Sequence, residues 1–243
     1  MKYLIINGSP RKKNTWSMVK QAKTNLEGEF EEVQLMKEKI PMCNGCFKCI
    51  MEGEKYCPHH DIVNPIVEKI KDSDGLIIAS PVYAMNVTAL IKNFFDHTAY
   101  LYHRPEFFDK KALIVVSTAG AGHKDVAKYI DETLRHWGFN KNYKITYKCG
   151  GKDSINTEEI NKVAQKFNND VKSGKLHSPK FGDVMFYNVW RALSISEDPI
   201  PADAEFWKNT ELANYEFAPN VNLGIIKKAF AKLMFFIFRK TMN

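Results

Sequence analysis

Four of the five cysteines in this 243-residue chain follow the spacing Cys43-x2-Cys46-x2-Cys49-x7-Cys57. Four thiolates on one loop can hold a cubane [4Fe–4S] cluster, and the same ligands also suit a tetrahedral zinc ion. Free thiols without metal are the third interpretation, since a reducing environment disfavours a stable disulfide. The spacing therefore indicates a candidate metal site and leaves these three interpretations open.

Residues 1–15 form a second candidate site. A short apolar run ends in Asn-Gly-Ser, and basic and small polar residues lead into an amphipathic stretch. This pattern predicts a strand, a tight turn and a helix N-terminus, where unpaired amides and the helix dipole attract an anion. A strand–turn–helix without ligand is the alternative. A phosphate monoester bound at this turn would be held by Ser9, Arg11, Asn14 and Thr15.

Two later segments strengthen the case for a ligand at this site. Residues 75–86 and 112–122 each begin as a nearly continuous apolar run and end in small or turn-forming residues. Such runs are typical of strands buried on both faces of a parallel sheet. Ligands of doubly wound sheets bind beyond the carboxyl ends of the strands. The three loops should therefore form one site. The first would bind the phosphate, and the other two have small side chains that leave room for a flat ring of the ligand.

The predicted strands and helices that carry these loops alternate along the chain, which predicts an α/β fold. Apolar periodicity alternates between strand-like and helix-like segments along the first 173 residues, which is typical of a parallel three-layer sheet. The strands are predicted at residues 2–7, 31–36, 75–80, 112–117 and 143–148. The helices are predicted at residues 15–26, 62–71, 87–100, 123–137 and 157–173.

Four motifs in fixed order identify a family. The runs G-S-P-R-x-x-N-T, S-P-V-Y, K-N-F-F-D and S-T-A-G-A-G resemble the flavodoxin-like NAD(P)H-dependent FMN oxidoreductases. The chain is most similar in appearance to their iron–sulfur flavoprotein branch, over residues 1–173. The resemblance implies a five-stranded parallel sheet of order 2-1-3-4-5, bound FMN, and NAD(P)H as the electron donor. Assembly as a homodimer or homotetramer is also implied.

The resemblance also implies which residues contact the cofactor. The FMN phosphate would lie at the first loop. Asn93 and Asp96, on the K-N-F-F-D helix, are expected to order the flavin loop and not to transfer protons. Tyr83 would position the ring edge, and no catalytic side chain is assigned, because the flavin carries the hydride chemistry. The isoalloxazine would lie against Pro81, Val82, Tyr83, Ala84, Met85, Asn86, Thr118, Ala119, Gly120 and Gly122.

Three functions follow from these features. The first is an oxidoreductase that passes electrons from NAD(P)H through FMN to a free flavin, quinone or similar small acceptor. The second is an iron–sulfur flavoprotein that carries electrons from ferredoxin and does not use nicotinamides. The third is a non-enzymatic redox sensor or scaffold with the thiols as its switch.

The chain divides into two predicted parts. Residues 1–174 form the FMN-binding domain, which includes the cysteine loop at 39–61, and residues 175–243 form a mostly helical extension. Residues 225–240 are basic and apolar over too wide an arc for a solvated helix. They are predicted to pack on a partner subunit or over the flavin loops. Contact with a membrane surface is the alternative.

Composition limits which classes of partner and which cellular location are predicted for the chain. The net charge of +7 suits anionic cofactors, and no recognised nucleic-acid-binding motif is present, so a nucleic-acid partner is not predicted. No apolar stretch reaches the length of a membrane span, and the opening run lacks the features of a signal peptide. These features predict a cytoplasmic protein.

Overall fold

The computed structural model describes residues 1–149 and 156–241 of the chain. Its centre is a five-stranded sheet in which every pair of neighbours is parallel. The order is β2-β1-β3-β4-β5, as the family resemblance implies. The strands are β1 (Lys2–Asn7), β2 (Glu29–Gln34), β3 (Gly75–Pro81), β4 (Lys111–Thr118) and β5 (Lys141–Lys148).

Ten α-helices accompany this sheet in the described residues. They are α1 (Asn14–Lys23), α2 (Leu35–Glu38), α3 (Lys48–Met51), α4 (His60–Lys71), α5 (Ala89–His97), α6 (His123–His136), α7 (Thr157–Ser173), α8 (Phe181–Leu193), α9 (Pro201–Asn209) and α10 (Gly224–Thr241). Three short 3-10 helices lie at Glu54–Tyr56, Ala99–Tyr102 and Leu212–Asn214.

The three central strands are buried because they are apolar on both faces. One face of the sheet packs against α1 and α7, where Met18 and Phe167 are fully buried. The other face packs against α4, α5 and α6, with Phe94 and Trp137 in its core. The sheet is therefore the middle of three layers, and the predicted fold class is confirmed.

The extension has a small core of its own. Val184 and Tyr187 of α8 pack with Trp207 of α9 and with Phe217. Phe108, which precedes β4, joins this cluster and connects it to the sheet domain. The helix α10 lies along α8. Residues 242 and 243, which belong to the predicted extension, lie outside the described residues.

Several element boundaries differ from the prediction. β2 begins and ends two residues earlier than expected, and Leu35–Glu38 is helical. The predicted helix at 87–100 is divided, because Thr88 caps α5 and Thr98 ends it before the 3-10 turn at Ala99–Tyr102. The predicted helix at 157–173 is confirmed as α7.

Among the described helices, none is both long enough and apolar enough to cross a bilayer.

Candidate functional site

The loops after β1, β3 and β4 meet at the carboxyl edge of the sheet. They enclose a cavity of about 230 Å³, open to solvent on one side. Each loop follows a buried strand, so its position is fixed by the sheet and not by the loop itself. The cavity is lined by Ser9, Arg11, Lys13, Asn14, Thr15, Pro81, Val82, Tyr83, Ser117, Thr118, Ala119 and Cys149.

The first loop is held in place by buried amides of the two neighbouring strands. The Asn7 amide donates to Gln34 Oε1 at 2.7 Å, and the Gln34 amide in turn donates to the carbonyl of Ser9. The amide N–H of Ser9 donates to Asn7 Oδ1 at 3.0 Å. These bonds fix the backbone of the loop without using the face that lines the cavity. The sequence reasoning did not identify Asn7 or Gln34.

The loop also contacts α5 closely at Gly8. A Cβ placed on Gly8 would lie 2.2 Å from Ile91 Cγ1, so only glycine fits at this position. The Thr88 hydroxyl donates to the Gly8 carbonyl at 2.8 Å and accepts the N–H of Ile91 at 3.3 Å. One side chain therefore joins the loop to the start of α5.

The start of α1 has the features of an anion site. Its N-cap residue, Lys13, makes no side-chain capping bond, and the first turn contains no acidic residue. The unpaired N–H groups of that turn and the helix dipole favour a negative group. Arg11 and Lys13 add positive charge at the same rim of the cavity. This donor set fits the phosphate of FMN.

Thr15 lies at the base of the cavity and connects two of the loops. Its hydroxyl lies 2.6 Å from the hydroxyl of Ser117 at the end of β4, and both side chains are buried. The Thr118 hydroxyl donates to the Ala121 carbonyl at 2.7 Å and accepts the N–H of Gly120 at 3.2 Å. These bonds shape the third loop into a compact turn.

The second loop contains a strained turn. Tyr83 and Asn86 exchange two backbone hydrogen bonds of 2.9 Å each, so residues 84 and 85 form the tip of a two-residue hairpin. Ala84 and Met85 both have positive φ, 46° and 65°, a backbone region that costs L-residues free energy. Such strain is most often found where a ligand or partner uses the resulting shape.

A second glycine maintains the contact between this hairpin and the third loop. Gly122 has a φ of 83°, and a Cβ there would lie 3.1 Å from Val82 Cγ1 and 3.3 Å from Met85 Cα. Gly122 therefore lets the hairpin approach the start of α6.

The structure brings most of the predicted cofactor residues around one cavity. Ser9, Arg11, Asn14 and Thr15 line one part, and Pro81, Val82, Tyr83, Thr118 and Ala119 line another. Five predicted residues lie beside the cavity without lining it, namely Ala84, Met85, Asn86, Gly120 and Gly122.

Three further residues line the cavity without having been predicted. They are Lys13, Ser117 and Cys149. The sequence reasoning interpreted Cys149 as a small buried hydrophobe, which is wrong, because the residue is half-buried and faces this site. Its N–H donates to the carbonyl of Thr118 at the end of β4, which fixes it at this edge of the sheet.

The cysteine loop is fastened to α5. Asn93 Oδ1 accepts the N–H of Cys43 at 2.9 Å, and the Asn93 amide donates to the Pro41 carbonyl at 3.0 Å. Asn93 thus orders the cysteine loop and not the loop after β3. Asp96 likewise does not reach that loop, since it pairs with Lys92 on the surface. Both outcomes correct the prediction for the K-N-F-F-D helix.

His97 is a second fastening point of the same loop. Its Nε2 lies 2.9 Å from the Pro41 carbonyl, and its Nδ1 lies 3.7 Å from Cys57 Sγ. The imidazole is buried, so one ring contacts both ends of the cysteine segment.

The four thiols lie close enough to influence one another. Burial, followed by the neighbouring Cys57 and Cys43, raises the pKa of Cys49 to about 11. Burial also raises the pKa of Cys57. In the described part of the chain, however, no three cysteine, histidine or acidic side chains are arranged as a metal site. The thiols thus have the right chemistry for a cluster, but their positions here do not form a ligand shell.

An arginine of the sheet domain supports this loop from below. Arg104 is almost fully buried and donates to the carbonyls of Cys49 and Ile50, the latter at 3.1 Å. Its nearest counter-charge comes from the extension, where Asp203 Oδ1 accepts from Arg104 Nη1 at 2.6 Å, and Glu54 Oε2 lies farther away, 3.6 Å from Nη2. The second oxygen of Asp203 lies 2.8 Å from His103 Nδ1. The sequence reasoning did not identify this triad.

Comparisons with known proteins identify the family of this chain. Residues 1–140 match the family described as NADPH-dependent FMN reductase. An iron–sulfur flavoprotein of Archaeoglobus fulgidus is 38% identical over 143 residues, which are 57% of this chain and 64% of that protein. An iron–sulfur flavoprotein of Methanosarcina thermophila is 27% identical over 180 residues, 68% of this chain and 93% of that one.

Among solved structures, the NAD(P)H:quinone oxidoreductase from Methanothermobacter marburgensis aligns with a TM-score of 0.51. The sequence identity is 16%, over 74% of this chain and 98% of that chain, so this similarity concerns the fold. The chain spans less than two thirds of the length of the first curated relatives that it matches, 64% and 49% for two proteins of Archaeoglobus fulgidus.

The sheet order and the cavity at its carboxyl edge define a flavodoxin-like protein. The chain belongs to the NADPH-dependent FMN reductase family, near its iron–sulfur flavoprotein branch.

Proposed function

We propose that this chain binds FMN in the cavity at the carboxyl ends of β1, β3 and β4 and acts as an NAD(P)H-dependent oxidoreductase. The observation that carries the proposal is that three strand-end loops and an uncapped helix N-terminus converge on that cavity. When bound, FMN supplies hydride and single-electron chemistry. The chain's own residues bind the cofactor, orient it and limit the access of water.

The predicted residues divide between two tasks. The phosphate would be held by Ser9, Arg11, Asn14 and Thr15, together with Lys13, which lies on the same rim. The flat ring would rest between the hairpin at residues 83–86 and the turn at residues 118–122. Tyr83 is partly exposed at the mouth of the cavity, where its ring would position the flavin edge. The acceptor would be a free flavin, a quinone or a similar small molecule.

The four-cysteine loop favours a second candidate function. We propose that Cys43, Cys46, Cys49 and Cys57 bind a [4Fe–4S] cluster after a local adjustment of the loop. The loop is connected to the cavity through α5, whose N-cap Thr88 bonds to Gly8 and which carries Asn93 and His97. In this form the chain would carry electrons from ferredoxin.

An anaerobic absorption spectrum of freshly purified protein tests the first function. Protein with bound flavin should be yellow and should bleach rapidly on addition of NADH or NADPH. Bleaching by reduced ferredoxin alone would favour the electron carrier. Colourless protein that does not bind added FMN would overturn both proposals and favour the redox sensor or scaffold.

Substitution of the phosphate arginine tests the location of the site. Arg11→Ala should weaken FMN binding by about 1.5–3 kcal/mol, the range for a hydrogen bond to a charged group. Lys20→Ala, which removes an exposed cation of α1 away from the cavity, is the matched control and should leave the affinity unchanged. Equal FMN affinity in Arg11→Ala and the parent would contradict this placement of the phosphate.

Iron and sulfide analysis of anaerobically purified protein tests the cluster. Stoichiometric iron with acid-labile sulfide is expected, together with loss of both in Cys46→Ser. Zinc without sulfide, or free thiols that react quantitatively in the folded protein, would contradict the cluster and leave the FMN proposal intact.

A further inference from the structure

Among the described helices, α10 carries the largest number of exposed large apolar side chains. Ile225 is 88% exposed and Phe236 is 65% exposed, although both are large apolar side chains. At about 100° of rotation per residue, the exposed apolar side chains fall within roughly one third of the helix circumference. They are Ile225, Ile226, Leu233, Phe236 and Ile237.

The other side of α10 already packs against the rest of the extension. Ala231 is fully buried against the extension core, Phe230 packs edge-on against Phe181 at 5.2 Å, and Phe235 lies beneath the guanidinium of Arg191. The helix is therefore held on α8 by one face, and its apolar outer stripe is not needed for that packing. Phe181, exposed at the start of α8, extends the same surface.

A row of positive charge borders the stripe. Lys228, Lys232 and Arg239 fall within about 40° of one another around the helix, directly beside the apolar arc. The whole helix contains five basic residues and no acidic residue. Within the described part of the chain, neither Lys228 nor Arg239 has a carboxylate at ion-pair distance, and Lys232 reaches Glu216 only at 3.8 Å.

We propose that α10 binds the surface of an anionic lipid bilayer and lies in the plane of the interface. The apolar stripe would enter the boundary between headgroups and acyl chains, and the basic row would contact anionic headgroups. This orientation agrees with the helix being too short in apolar length to span a bilayer. The proposal does not depend on the nature of the cofactor.

Charge argues against a second copy of the chain as the occupant of this face. In a two-fold contact the same surface meets itself, so the basic row beside the stripe would be brought close to a second copy of that row, and α10 supplies no carboxylate from either helix. Exposed apolar residues also occur outside α10, for example Met42 and Phe47 in the cysteine loop, so a contact in the predicted homo-oligomer does not require α10.

Sedimentation of the full chain with vesicles tests the proposal. The protein should bind phosphatidylcholine vesicles that contain phosphatidylglycerol, and binding should fall with added salt and with removal of the anionic lipid. The double variant Leu233→Gln/Phe236→Gln should lower the partition coefficient at least about 10-fold, because two large apolar groups are lost from the interface. Ile195→Gln, at an exposed apolar residue outside α10, should leave it unchanged.

A charge variant separates the two contributions. Lys228→Gln/Lys232→Gln/Arg239→Gln should lower binding to anionic vesicles on the order of 100-fold, because each cation near such a surface contributes about fivefold. The matched control Lys20→Gln/Lys162→Gln/Lys166→Gln removes the same charge from exposed positions on α1 and α7 and should have a much smaller effect.

Three results would overturn the proposal. They are no binding to anionic vesicles at low salt, equal binding to neutral and anionic vesicles, and a change in oligomeric state of Leu233→Gln/Phe236→Gln in the absence of lipid. The last result, measured by analytical ultracentrifugation, would assign the stripe to a second copy of the chain.

Discussion

At the scale of single residues, Gly8 is the tightest point around the cavity. The Ile91 side chain occupies the space that a Cβ would need, and the Ala79 carbonyl lies 3.3 Å from the same point. Ile91 is fully buried beneath the sheet, so it has little room to move. The close approach keeps Gly8 within hydrogen-bond distance of Thr88 and sets the position of the whole first loop.

Gly8→Ala should therefore impair both the fold and the cavity. Overpacking of this kind costs about 1–3 kcal/mol, and relief of the clash would move the first loop away from α5. We expect a lower free energy of unfolding in urea and weaker FMN binding.

The matched control for this change is Gly182→Ala. Gly182 lies in the first turn of α8 with no atom within 4 Å of its Cβ position, so the alanine should fit without a clash and should not lower the free energy of unfolding. A Gly8→Ala protein as stable as the parent would contradict the packing described at this position.

The cavity-facing residues of the first loop could be predicted from the sequence. The strand residues whose side chains hold that loop in place could not. Ser9, Arg11 and Thr15 could be selected because hydroxyls and a guanidinium next to a helix start have an obvious ligand. Gln34 could not, because its role depends on the pairing of β1 with β2, which places it opposite Asn7. Spacing within one strand carries no information about its partner in the sheet.

At the scale of secondary-structure elements, α5 connects the two candidate centres. Its N-cap residue, Thr88, contacts the loop after β1, and its later turns hold the cysteine loop through Asn93 and His97. The helix ends where the Thr98 hydroxyl donates to the Phe94 carbonyl. The prediction of one longer helix was wrong because apolar periodicity continues through Tyr100 although the hydrogen bonding changes.

The early end of β2 has a similar cause. Val33 and Leu35 are both buried, which in the sequence extends the alternating pattern of a strand. In the structure β2 stops pairing with β1 at Gln34, and Leu35 begins α2. Exposed Met36 thus lies outside the sheet, although its apolar character favoured a strand.

The contact between α6 and α8 should make stability depend on pH. The His136 ring lies against Phe186 with ring centroids 3.7 Å apart and the rings tilted by 39°. Burial, followed by Arg135, lowers the pKa of His136 from the ordinary 6.5. Below that value the unfolded chain takes up a proton that the folded chain resists. The free energy of unfolding should therefore fall as the pH decreases from 6.5 through the folded pKa.

Urea unfolding across this pH range measures the effect. His136→Phe retains an aromatic ring against Phe186 and Tyr102 but cannot titrate, so its stability should vary less with pH than that of the parent. An unchanged pH slope in His136→Phe would show that other groups dominate the dependence.

At the scale of the whole molecule, the extension is joined to the sheet domain by buried polar contacts as well as apolar packing. Asp203 pairs with Arg104 and His103, and the Trp207 indole donates to the His103 carbonyl at 2.9 Å. Trp190 stacks on His103 with ring centroids 3.6 Å apart. Three side chains of the extension thus meet one short segment beneath the cysteine loop.

Asp203→Asn should destabilise the chain by about 3–5 kcal/mol, because it removes the buried carboxylate that pairs with Arg104 and leaves only the half-exposed Glu54 at 3.6 Å. Calorimetry and thiol alkylation in the native state should show a lower unfolding temperature and faster labelling of Cys49, which lies above Arg104.

Asp96→Asn is the control for this change. It breaks the exposed pair with Lys92 and should cost no more than about 1 kcal/mol. Equal stability losses in the two variants would contradict the role assigned to Asp203.

The contacts among His103, Arg104 and Asp203 determine where this chain can be truncated. An expression clone that stops near residue 174 would keep every strand, yet it would remove the carboxylate of Asp203 and the rings of Trp190 and Trp207. The guanidinium of Arg104 would then be exposed to solvent. The cysteine loop, which Arg104 supports, would become accessible to proteases. Any minimal functional fragment must therefore extend at least through α9.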